Sequence, residues 1–134
     1  MTVTNDIRQA LDAHLAAATG LPAVAYENVG FSQAPAVPHI RVQYIPTSRR
    51  PANRGPSPQH RHQGLYILTV CAESGKGAGS ALDVVDTLLG EFNGSTDVAG
   101  TSIIVSIDYS EMQTAYTDEP FYCAPVQVSW YAYE

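Results

Sequence analysis

The chain has 134 residues, 45% of them hydrophobic, and carries a formal charge of −6. That length suits one globular domain with a real core, the hydrophobic share argues against intrinsic disorder, and a net-acidic body is a poor general binder of nucleic acid. No apolar run approaches the ~18 residues of a membrane span, and Met1 to Asp6 lack the basic start of a secretion leader, so a soluble protein without export is expected.

Ile7, Leu11, Leu15 and Ala18 recur at helical spacing and predict a first helix over residues 5–18. Thr4 or Asn5 is placed to cap it, Asp6 suits the positive end of its dipole, and Gly20 with Pro22 is an ordinary stop. A short strand is expected at Ala23–Glu27, then a proline-containing connection through Gln33 to Pro38. Residues His39 to Ile45 alternate, Ile40, Val42 and Tyr44 against Arg41 and Gln43, which reads as a strand with one wet face ended by Pro46.

The segment 46–63 holds Arg49, Arg50, Arg54 and Arg61 among prolines, with no acid. No periodicity survives in it, so it is read as a long basic loop. Outside it, Arg8, Arg41 and Lys76 face all 13 acids, so the segment is +4 on a body of −10. From Gly64, Leu65 to Ala72 are largely apolar on both faces and predict a central strand. A turn at Glu73 to Gly77 leads to a second helix with Ala78, Ala81, Leu82, Val85, Leu89 and Phe92 as its apolar stripe, and Ser80 with Asp83 as a candidate capping box. Two final strands, about 102–109 and 126–133, flank a loop of some 16 residues carrying Tyr116, Phe121 and Tyr122.

The expected fold is therefore α+β. A mixed, mainly antiparallel sheet of four to five strands carries two helices on one face, in the order α-β-β-β-α-β-β. One domain spans 1–134. The other sheet face, with Arg41, Gln43, Gln127, Ser129 and Tyr131, must meet water or another subunit.

The chemical motifs are weak. Gly75 to Ser80 lies between a strand and a helix, but its lysine precedes two of its three glycines and no Gly-Lys-Ser/Thr run closes it, which argues for a plain turn over a phosphate loop. His60 and His62 would need His14 or His39 to complete a metal site, and are read as solvated polar groups. Asp83 and Asp86 share a helix face and are read as solubilising. Cys71 and Cys123 lack zinc spacing and are read as buried free thiols, with a disulfide left open. No catalytic, cofactor or metal residue is expected. Arg49, Arg50, Arg54 and Arg61 are the partner-contact candidates, and Tyr116, Phe121, Tyr122 and Tyr131 the interface aromatics.

The stretch Gly64–Phe92 and the ending Ala124–Ala132 resemble the small tail terminators of tailed bacteriophages, related to the lambda tail terminator, with the basic segment as the variable part. The resemblance implies a non-enzymatic virion protein without cofactor, assembled in the host cytoplasm. It implies a homo-oligomeric ring, a hexamer in the family, that caps the tail tube, stops its polymerisation and presents a surface for head–tail joining. Tail tube and neck proteins are the implied partners, and the basic segment is a candidate for nonspecific contact with DNA in the lumen. The alternatives are another head–tail connector or neck protein, and a small nucleotide- or ligand-binding domain using the Gly75–Ser80 turn.

Overall fold

A computed structural model describes residues 3–27, 38–56, 59–75, 78–94, 96–100, 103–118 and 120–134. Helix α1 (Val3–Ala17) buries Ile7, Ala10, Leu11 and Leu15, the stripe its spacing dictates. It starts two residues before the expected start, so Thr4 and Asn5 lie inside its first turn; Asn5 Oδ1 there accepts a 2.8 Å bond from the Arg8 guanidinium. Gly20, at φ 78°, takes the left-handed turn that ends the helical segment.

Strand β1 (Ala23–Ala25) pairs parallel with β2 (His39–Pro51), which pairs antiparallel with β3 (His60–Glu73). Helix α2 (Gly79–Glu91) is followed by β4 (Asp97–Ala99), β5 (Ile104–Met112), β6 (Tyr116–Asp118) and β7 (Phe121–Tyr133). The sheet runs β1-β2-β3-β7-β5-β4, and β6 also pairs with β7. It is the expected mixed, mainly antiparallel sheet, with seven strands among the described residues where four to five were expected. The connection from Gln33 to Val37, and Lys76 and Gly77 of the glycine turn, lie outside the described residues.

Both helices cover one face. Their buried side chains merge with Ile40 and Val42 of β2, Tyr66, Leu68 and Val70 of β3, and Val126, Val128 and Trp130 of β7 in one core. In α2 the buried positions are Ala81, Val85 and Leu88, continued by Phe92, whereas Leu82 is 37% exposed. The helix begins at Gly79 with no side-chain cap, so the Ser80–Asp83 capping box does not form: Ser80 already lies within the helix.

Three expectations are corrected. First, the segment 46–63 is not a loop but most of a hairpin, with Ser48 to Pro51 paired to Gln63 to His60. Pro46 does not end β2, because a register shift between Pro46 and Ser48 absorbs it and β1 covers β2 only from His39 to Arg41. On a strand whose outer side is open, a missing N–H costs no ladder bond. Second, the expected 16-residue loop folds into β6 and the start of β7, which places Phe121 in the sheet at 3% exposure. Third, Cys71 and Cys123 are not free. They are register partners on β3 and β7, 4.2 Å apart at Cα, and form a disulfide packed against Phe121.

One polar tie crosses the core boundary. The Tyr66 hydroxyl donates to Asp12, which also holds Arg8 at 2.8 Å. Burial and the neighbouring Asp12 carboxylate push the Tyr66 hydroxyl far above the usual tyrosine range, so it stays a donor. Tyr66→Phe removes that donor from a half-covered carboxylate. We expect a loss of about 1–2 kcal/mol in urea unfolding with an unchanged m-value.

Candidate assembly surface

The helix-free face is defined by alternation. On β3, Arg61, Gln63, Leu65, Ile67 and Thr69 point away from the core; on β7, Gln127, Ser129 and Tyr131 do the same, each half-buried. The strands curl around a groove of about 420 Å³ bordered by Arg61, Gln63, Gln127, Ser129 and Tyr131, with Asp108 and Tyr109 on its far wall. Of the residues expected on this face, Gln127, Ser129 and Tyr131 line the groove. Arg41 sits outside it, held 3.2 Å from Asp118 of β6.

The four arginines are gathered by the β2–β3 hairpin but divided between its faces. Arg50 and Arg61 are direct cross-strand partners, and the Arg61 guanidinium lies 4.9 Å over the Tyr131 ring. Arg49 pairs with His62 in the ladder, on the core side, and reaches Glu134 at 3.2 Å. Arg54 is exposed in the hairpin turn. Among the described residues no carboxylate lies within ion-pair distance of Arg50, Arg54 or Arg61.

Glu134 is a site residue that sequence reading missed. Its carboxylate lies 3.2 Å from His62 Nε2 and 3.6 Å from His60 Nδ1, and backbone bonds between residues 60 and 134 fix it there. His62 and then Arg49 hold its carboxyl below the usual carboxylate range. The two histidines are thus not solvated loop groups: His62 is 6% exposed and both face an acid. Among the described residues there is no cluster of three groups fit to hold a metal. His39 is buried with its ring edge against Phe121, and His14 contacts the Glu91 carbonyl oxygen at 2.6 Å, joining the two helices.

Of the proposed interface aromatics, Tyr116 is 46% exposed on β6 and Tyr131 lies on the groove under Arg61. Tyr122 is half-buried against the core. Phe121 is withdrawn from the set, because its ring packs on the disulfide with Arg41 5.9 Å above it. Tyr109 and Tyr133, 43% and 45% exposed, take its place. Their alternation within strands gave the signal, but which face was wet depended on pairings that the sequence hides.

This surface combines an open sheet face, exposed rings and, among the described residues, guanidinium groups without a carboxylate partner. Asp83 and Asp86 stand exposed on α2, and no described helix is long and apolar enough to cross a membrane.

A family model described as phage tail terminator protein matches residues 6–130 of the chain. Seven chains of known structure also match. One of them is 20% identical, with 97% of this chain and 94% of that chain covered and a TM-score of 0.69, a likeness of fold alone. No curated protein matches the chain.

Proposed function

This chain belongs to the phage tail terminator family, and we propose that it forms a ring, a hexamer, that caps the tail tube and presents the surface to which the head joins. Membership makes it a structural tail protein of a bacteriophage, in a family not known for enzymatic activity. The observation that carries the finer reading is the sheet face left without helix cover, whose groove and exposed tyrosines give an assembly subunit somewhere to hold its neighbours. The tail tube protein and a neck protein are the partners. In a ring, the basic hairpin would also be available to DNA in the lumen, through phosphate charge without sequence readout.

The test is to add the purified protein to polymerising tail-tube protein and measure tube lengths by electron microscopy. Short tubes with density at one end are the expected result. Tubes of unchanged length with bare ends would sink the reading. Binding to isolated heads with no effect on tubes would favour a neck protein instead.

A further inference from the structure

Among the described residues, exposed charges without an ion-pair partner include a basic group on one side of the sheet and an acidic pair on the other. On the β2 side, Arg50 and Arg54 stand exposed without acid partners, beside Arg49. On the β4–β5 side, Asp97 and Asp108 stand exposed with no cation within ion-pair distance among the described residues. Asp108 is pushed out by the register shift between Ile107 and Tyr109.

Ser48, Gln63, Tyr131, Ser106 and Asp97 are consecutive register partners, so they form one row straight across the sheet from β2 to β4. Asp97 is level with Ser48, whereas Asp108 lies further along β5, on the side of that row away from Arg49 and Arg50. Arg49 and Arg50 follow Ser48 directly at one end of that row, and Asp97 closes the other. Four strand spacings, about 19 Å, separate the ends.

We propose that the Arg49–Arg54 segment of one copy docks against Asp97 and Asp108 on the β4–β5 edge of a second copy, head to tail. The proposal rests on the ring reading above and, for Arg49, Arg50 and Arg54, takes the place of a contact with DNA in the lumen. Basic and acidic edges on opposite sides of one sheet make a heterologous contact, the kind that closes into a ring when its rotation allows. Pro46, the neighbouring register shift and Pro51 deny β2 a continuous hydrogen-bonding edge, and β4 is only three residues long. The contact is therefore carried by side chains and not by a shared ladder. Arg50 opposite Arg61 is a like-charge pair that is unfavourable in the isolated subunit and relieved by an incoming carboxylate. Because single exposed ion pairs contribute little, the charges act as a group and set orientation and register more than total affinity.

Sedimentation velocity over a concentration series at low salt tests this. The wild type is expected to rise above its 14.4 kDa monomer mass and to fall back as salt is raised. Arg50→Glu with Arg54→Glu, and separately Asp97→Lys with Asp108→Lys, should each weaken self-association at least tenfold. A one-to-one mixture of the two should recover it, because each then offers the charge the other lacks. All four positions are exposed, so each variant is expected to fold, and Arg50→Gln with Arg54→Gln gives a milder loss in the same direction. Association indifferent to the reversals, a mixture that fails to recover, or a wild type that stays monomeric throughout would overturn the interface. Tube capping that persists while the reversals are inert removes this contact and leaves the terminator reading. Recovery in the mixture without tube capping does the opposite.

Discussion

Gly64→Ala lowers stability by about 3 kcal/mol or more, which for a chain of this length takes the melting temperature down by roughly 10 °C. A Cβ at position 64 would run into the Ile45 carbonyl oxygen and lie 2.7 Å from Trp130 Cζ2 and 2.9 Å from Pro46 Cα. Two of those atoms are backbone and cannot swing aside. The site is also where β2 shifts register and where Gly64 faces Pro46 on one side and Trp130 on the other, so the strands close in over the missing side chain. A displaced backbone here would disturb the hairpin that carries the arginines. We therefore expect Gly64→Ala to weaken self-association as well as folding, whereas Gly79→Ala, with open space around its Cβ, should do neither. Thermal melts of the two variants side by side check the first claim.

The difference between what the sequence disclosed and what it concealed follows the range of the interaction involved. Local periodicity placed α1, the core stripe of β3 and the alternation of β7, because a residue's face in a helix or strand is set by its neighbours in the chain. The helix-free face was legible for the same reason: two helices cannot cover both sides of such a sheet. Segment 46–63 misled because its composition is that of a loop, while its strand character comes from pairing across the hairpin and from β7 alongside. Phe121 misled in the same way, as did the two cysteines, which become neighbours only through a register that no single segment encodes. The arginines were identified as a group from charge alone. That Arg49 belongs with Glu134 and Arg50 with Arg61 is a fact of the ladder.

Trp130→Ala is expected to cost about 3–5 kcal/mol in urea or thermal unfolding. The indole is 1% exposed, is stacked on Tyr44 at 5.6 Å and 8°, and spans the gap left by Gly64. It also carries a liability, for its buried Nε1 has no hydrogen-bond partner among the described residues. Trp130→Phe discards that unpaired donor while keeping a ring against Tyr44, so its loss should be the smaller of the two by at least about 2 kcal/mol. If Phe proves as costly as Ala, the indole N–H is satisfied in solution and the stacking account fails. The same site tests the packing around Gly64, because residues in contact do not add. In a Trp130→Ala background the Cζ2 obstacle is gone but the Ile45 oxygen remains. Gly64→Ala should then cost less than in the wild type and still more than about 1 kcal/mol. Full additivity of the two changes would mean that the indole does not rest on Gly64, and that the backbone clash alone sets the glycine requirement.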